Sequence, residues 1–597
     1  MCRRPMAPRT KFLLPLMLVA GVSAIALAQD RPESILPPGF GAPPPPSTSP
    51  PAASGDTTAT VGPDEGSGVE ISTSLDNQDI APPAPLPPVE VPPGSRRNPA
   101  LAGPFDPVAI GIGAEPWGAS DGRMLEALLR RMRTPLASRW AHIALRNALL
   151  AHTPTPFAVN AVDWAAERGW LLLRMGEADG SRMLVSGVDV ADFTPKMVQV
   201  AIQSALANGD PAALCPIQPQ VQKLEPSIGP LVEAICASLS GSPETAAADI
   251  EQARRRGRLG GIDLSLADKL VGAGADTARA VTIEWNPVDR LNTWRFGLAA
   301  ATGLVPPDRL LTGSSPQLRA WLARSPMLAV AVRLPAAREA AALGVFSAQS
   351  LTDLYALAYD ATDPDDLGAS DAWQVRQAYV GKDVETRLAA MRKLWGAAKG
   401  DLDRMSAQLL VARAATLVAP DAGLQGDAPQ LIAALLAAGF DRQAARWSAA
   451  VASMDDGPGD QCFAMLALGA PDRAGPPIDY GRLVDFAKRD TSENHHRTAL
   501  LVGGLVGLGR LDGTSAGKLD ARFDLGLTRQ TDYTKFVDGA SRRRQGGTVL
   551  VLAATGLQSA GFGGVPPIFV YHAINALHRT GQDFTARMIA AEALART

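Results

Sequence analysis

Gly513-Thr514-Ser515-Ala516-Gly517 fits G-x-S-x-G, the pattern in which a sharp strand-to-helix turn exposes a serine nucleophile. The same serine opens Ser515-Ala516-Gly517-Lys518, an S-x-x-K spacing in which a lysine helps to deprotonate the hydroxyl. Ser515 and Lys518 are therefore the candidate catalytic residues, and their chemistry would be that of an envelope serine hydrolase. Each pattern needs a context that the sequence does not supply. The first requires a preceding strand of a parallel sheet, whereas Gly-rich Leu500 to Gly509 precedes it. The second requires a later K-T-G, which is absent, and the S-x-N of Ser492-Glu493-Asn494 comes before the serine instead of after it. His572 and His578 would reach Ser515 as bases only by long-range folding. Ser515 is expected in a turn, and the chain is read as non-enzymatic.

The metal and cofactor motifs are also incomplete. Glu493, His495 and His496 could offer ligands, but H-E-x-x-H is missing and adjacent histidines on a helix point in different directions, so a solvated helix start is expected. Asp360, Asp363, Asp365 and Asp366 precede Gly368, yet Leu367 and Gln374 occupy positions where a calcium loop needs oxygen ligands, which leaves a capped loop. Gly272-Ala273-Gly274 lacks the third glycine of a dinucleotide loop, and there is no Walker motif. No cofactor and no metal are expected.

The elements that would position such residues begin after a long leader. Arg3, Arg4, Arg9 and Lys11 precede an apolar run from Phe12, and Ala26-Leu27-Ala28 fits a small-x-small cleavage site, so residues 1–28 read as a secretory signal peptide. The uncharged run to Ala28 contains Pro15 and is shorter than the ~20 residues a membrane span needs, so no integral span is expected after cleavage. Cys2 lies before that run, which does not support a lipid anchor, and Arg3-Arg4-Pro5-Met6 makes a weak twin-arginine signal. A periplasmic or secreted location follows. In an oxidising compartment Cys215 and Cys236 are the candidate disulfide, closing a Pro-rich loop for about 3 kcal/mol in the chain-entropy model, while Cys462 reads as a small buried hydrophobe.

Removing the leader removes four cations and takes the formal charge from −3 to −7. A nucleic-acid binder draws its affinity from a basic excess, so that partner class is disfavoured. The arginine clusters at 130–133, 254–258 and 542–544 read as solvated helix faces or helix C-termini. Residues 29–104 are rich in Pro, Ser and Thr, with Phe40 as their only aromatic ring, and read as a disordered tether.

Residues 105–597 alternate helical periodicity with short turns. Met124, Leu125, Leu128, Leu129 and Met132 define one amphipathic helix, capped by Ser120 or Asp121 and stopped at Thr134-Pro135. Further stretches include Ser138 to Ala151, Asn160 to Met175, Thr194 to Ala207, Pro429 to Ala438, Arg442 to Met454 and Ile568 to Arg579. Val549 to Leu552 is the nearest approach to a strand, but Ala553-Ala554 extend it as a buried helix. Gly176, Gly439 and Gly581 each stand between an apolar stretch and a second, small-residue-rich one, the signature of an αα-hairpin turning at a glycine with φ > 0. The predicted fold is all-α: an irregular, tetratricopeptide-like solenoid of αα-hairpins, 105–597, behind the tether. Trp140, Trp164, Trp170 and Trp447 would fill gaps between helices or line a ligand cage.

The chain resembles a group of uncharacterised exported, Ala-rich helical-repeat proteins of Gram-negative bacteria, through stretches such as Ala280-Val281-Thr282-Ile283-Glu284-Trp285 and Arg587 to Leu594. Such proteins are sometimes labelled antifreeze-glycopeptide-like on composition. That label requires tandem Ala-Ala-Thr units, and here they are isolated at 300–302, 414–416 and 553–555, so ice binding is not implied. The architecture is also similar to the superhelical part of soluble lytic transglycosylases, without their catalytic segment. The αα-hairpin pattern together with the missing catalytic motifs points to an exported, non-enzymatic scaffold that binds a protein or cell-envelope partner, with the Ser515/Lys518 hydrolase or an accessory subunit of a peptidoglycan-acting enzyme as alternatives.

Overall fold

Helix starts are encoded by short polar residues. The side chains of Asp121, Ser138, Asn160 and Thr194 each accept a hydrogen bond from a first-turn amide of the helices Gly122–Arg131, Arg139–Leu149, Ala161–Arg174 and Pro195–Ala207, amides that have no partner within the helix. The computed structural model describes residues 94–256, 260–274 and 281–597. Of these, 67% are helical and none forms a strand. The leader 1–28 and most of the tether 29–104 lie outside the described residues.

The tether ends earlier than composition indicated. Arg97 bonds Asp189 through its backbone amide at 3.0 Å and Ser186 through its guanidinium at 2.6 Å, and Ala102 is 3% exposed. Residues 97–104 are therefore part of the helical body. Pro99–Leu101 packs against the helix Ala161–Arg174, whose Arg168 donates to the Ala102 carbonyl at 2.7 Å, a long-range surface that local composition cannot report.

Turns between helices share one device. Gly176, Gly439 and Gly581 have φ of +88°, +83° and +84°, and the residue after each sends its amide back to a carbonyl one turn inside the finished helix: Glu177 to Leu172 at 2.8 Å, Phe440 to Leu435 at 2.8 Å and Gln582 to Leu577 at 2.9 Å. The same closure recurs at Gly209, Gly241 and Gly509. A Cβ at such a φ is strained, so glycine ends the helix and lets the next one fold back. The expected single helix from Arg442 to Met454 is instead two short ones, Asp441–Ala445 and Ser448–Val451. Bonds of the i to i−3 type at Arg446 and Trp447 tighten the chain there and turn the Trp447 indole fully inward.

Buried and half-buried arginines seal several other helix ends. Arg168 donates to the carbonyls of Leu149 and Ala151 at 3.1 and 3.0 Å and to Ala102 at 2.7 Å; Arg174 reaches Leu129 and Met132 at 2.6 and 2.7 Å; Arg510 reaches Ala467 and Ala470, both at 2.7 Å. Each satisfies carbonyls that a helix C-terminus leaves without partners. Burial pulls the Arg168 guanidinium down to about 9.

Consecutive hairpins stack, and the array then closes on itself. The last helix, Asp583–Ala595, is buried on every side from Ala586 to Leu594 and packs against Arg139–Leu149, Ala428–Ala437, Asp456–Gly469, His496–Gly507 and Pro567–Arg579. Its Glu592 accepts hydrogen bonds from the Ser138 hydroxyl at 2.6 Å, the Arg139 amide at 2.9 Å and Arg596 at 2.7 Å. Arg596 also holds Asp401 at 2.6 Å. This charged seam joins the first hairpins to the last.

Candidate functional site

Ser515 stands in the first turn of the helix Gly513–Phe523. Asp512 caps that helix, accepting the amides of Thr514 at 3.0 Å and Ser515 at 2.9 Å. These bonds at the helix start hold the Asp512 carboxyl below its usual range. A Cβ at Gly513 or Gly517 would meet nothing within 4 Å, so neither glycine serves the close approach that a nucleophile elbow requires. Lys518 is exposed. His572 bonds Asp538 at 2.8 Å and His578 bonds Asp583 at 3.0 Å, and neither is brought to Ser515. The expected result with a fluorophosphonate probe is no labelling above that of Ser515→Ala; stoichiometric labelling lost in that variant would reinstate a nucleophile.

Cys215 and Cys236 are joined by a disulfide, with their Cα atoms 5.5 Å apart. Cys462 is a free, buried thiol that burial pushes up to about 12. Asp363 caps the short helix Pro364–Leu367. Among the described residues no group of three or more His, Cys, Asp or Glu side chains is placed to hold a metal ion. His495 and His496 do open a helix, but they face a cavity instead of open solvent, because Asn494 and His495 both take left-handed backbone and fold the segment onto Phe523. Arg130 and Arg131 close one helix and Arg542 another; Arg258 lies outside the described residues.

The tryptophans divide by their surroundings. Trp164, Trp170 and Trp447 are buried between helices, whereas Trp140 is half-buried in the wall between two hollows of about 420 and 400 Å³. The first hollow is lined by Ile110, Ile143, Leu550 and Phe584, the second by Ile143, Tyr379, Leu409 and Phe440. Trp140 and Phe584 meet edge to face at 5.3 Å over Gly439, where a Cβ would lie 3.1 Å from the indole. The seam sets this geometry. Arg139, next to Trp140, donates to the carbonyls of Ala341 and Ala437, both at 3.0 Å, and burial lowers its guanidinium to about 10 while Glu592 opposes that shift. The groove is rigidly backed, mostly apolar, and rimmed by Asn147, Gln349, Thr352 and Arg413. Asp583 also lines the first hollow, held by His578 at 3.0 Å and Arg587 at 2.7 Å. Such a site can grip an apolar side chain and orient its backbone.

Sequence reasoning singled out Trp140 but missed Tyr379, Phe440 and Phe584. Two of these carried a signal: an aromatic ring directly after, or three after, a hairpin glycine sits at the mouth of the turn and not on the buried helix face. Comparison with known proteins adds no name, since no family model, curated protein or solved structure matches the chain.

Proposed function

We propose that the chain is an exported, non-enzymatic helical scaffold that binds a protein or another cell-envelope component through the groove over its closing seam. The observation that carries this reading is the grouping of four incompletely buried rings there, Trp140, Tyr379, Phe440 and the 40%-exposed Phe584, around two adjoining hollows. Export is supported by the charged and apolar pattern of residues 1–28 and by the Cys215–Cys236 disulfide, which suits an oxidising compartment. No helix among the described residues is long and apolar enough to cross a membrane. The lack of a strand before Ser515 among the described residues and the open space around Gly513 and Gly517 argue against the hydrolase alternative.

A photo-crosslinking residue at Gln349, on the groove rim, is expected to give a discrete adduct in cells, while the same residue at exposed Lys535 gives none. Phe440→Ala should lower the adduct yield about tenfold, the loss of one anchoring ring. Equal yields at both positions, or none at Gln349, would overturn the proposal.

A further inference from the structure

A cavity of about 830 Å³ lies away from the groove, between residues 492–497, 523–529 and the end of the last helix. A smaller hollow of about 210 Å³ adjoins it across Arg497 and Arg596. Together they are unlike the groove in chemistry. Arg497 and Arg529 line the first, and Arg404 and Arg497 line the second with Gln408, Gln430 and Gln461. Among the described residues none of these three arginines has a carboxylate within ion-pairing distance; Arg497 is half-buried, and Arg404 and Arg529 are exposed. Arg596 is already engaged by Asp401 and Glu592. Glu493 and Asp524, both exposed, line the large cavity, and Thr597, the last residue of the sequence, lines both it and the adjoining hollow.

Three further observations single out this cleft. Nδ1 of His495, Nε2 of His496 and Nε of Arg497 are shielded from solvent and make no hydrogen bond within the chain, a rare state for polar atoms. Asn494 and His495 hold successive left-handed conformations, φ +52° and +51°, a strain that persists only where the surroundings impose it. Asp490 imposes it, accepting the Ser492 amide and hydroxyl at 2.9 and 2.6 Å and the Thr498 amide and hydroxyl at 2.9 and 2.6 Å. The first amides of the helix are thereby engaged, which leaves recognition in the cleft to the side chains.

We propose that this cleft binds a small phosphorylated polyhydroxy compound of the sugar-phosphate class. Several guanidinium groups without carboxylate partners suit a dianion better than a single carboxylate, because the planar fork pairs bidentately with phosphoryl oxygens. The glutamines of the adjoining hollow offer both donors and acceptors to hydroxyl groups, and Gln408 already donates to Gln430 at 2.9 Å, which orients both amides.

Calorimetric titration of the full chain with glucose 6-phosphate, inorganic phosphate and phosphatidylglycerol vesicles tests the assignment. Saturable binding of glucose 6-phosphate, tighter than that of inorganic phosphate, is expected, weakened at least tenfold by Arg497→Gln and by the exposed-site variant Arg529→Gln, and unchanged by Lys518→Gln. Circular dichroism of each variant separates lost binding from lost folding, and the exposed Arg529 keeps the test alive if Arg497→Gln unfolds. Binding of none of the probes, or binding indifferent to both arginine variants, would overturn the site. Arginine-dependent binding to vesicles alone would overturn the sugar-phosphate assignment and place the phosphoryl group on a lipid headgroup.

Discussion

Glu592→Ala is expected to cost about 3–5 kcal/mol of stability, the range for removing one partner from a buried, hydrogen-bonded charge cluster. Glu592 is 5% exposed and sits on the helix around which the array closes. It accepts the Ser138 hydroxyl from 454 positions away, the amides of Arg139 and Trp140 at 2.9 and 3.3 Å, and Arg596 at 2.7 Å. Truncation removes the long-range cap of the helix Arg139–Leu149 and leaves Arg596, whose side chain is 4% exposed, with Asp401 as its remaining carboxylate. Ser138→Ala should cost only about 1 kcal/mol, since the carboxylate still caps the amides. The measurement is the midpoint of urea unfolding, with limited proteolysis at the seam as a local readout. A loss below about 1 kcal/mol for Glu592→Ala would mean that apolar packing of the last helix closes the array by itself.

That seam also marks where sequence reading stopped. Local signals were legible: the caps at Asp121, Ser138, Asn160 and Thr194 and the turns at Gly176, Gly439 and Gly581 depend on residues within one turn of one another. Helices buried on all sides were legible where they are rich in Ala and Leu, as at Val549 to Ala554 and Pro429 to Ala438, but not where glycines interrupt them. Asp456–Gly469 begins Asp-Gly-Pro-Gly and reads as a loop, and His496–Gly507 contains three glycines that resemble a flexible segment. Packing explains two of them. A Cβ at Gly504 would stand 2.7 Å from Leu468, and one at Gly507 would stand 2.9 Å from Ile574, so these glycines allow helices to approach and do not loosen the chain. The candidate sites follow the same division. Trp140 was visible as a large ring on a helix, but Phe584, Phe440 and Tyr379 reach it from remote hairpins, and Arg404 and Arg497 share a cleft only because the last helix draws their elements together.

Glu225→Gln is expected to stabilise the protein at pH 8 by about 3 kcal/mol and to be nearly neutral at pH 4.5. Glu225 follows the helix Gln218–Leu224 inside the loop closed by Cys215 and Cys236; it is 5% exposed, and its Oε2 is shielded without a hydrogen bond. Burial, with no cation paired to it among the described residues, pushes its carboxyl from 4.5 up to about 7. The folded state therefore holds the proton more tightly than the unfolded chain. Stability from the neutral carboxyl is fully present below about pH 4.5, falls as pH rises toward 7, and is lost above it. At 1.36 kcal/mol per pH unit, that interval corresponds to about 3 kcal/mol. Glutamine keeps the shape and cannot ionise, so the slope of stability between pH 4.5 and 7 should flatten. Asp249, also raised by burial, remains in the variant and leaves a smaller residual slope. Parallel pH profiles for the two proteins would show that Glu225 reaches water in the folded state and that its carboxylate is solvated without opening the disulfide-closed loop.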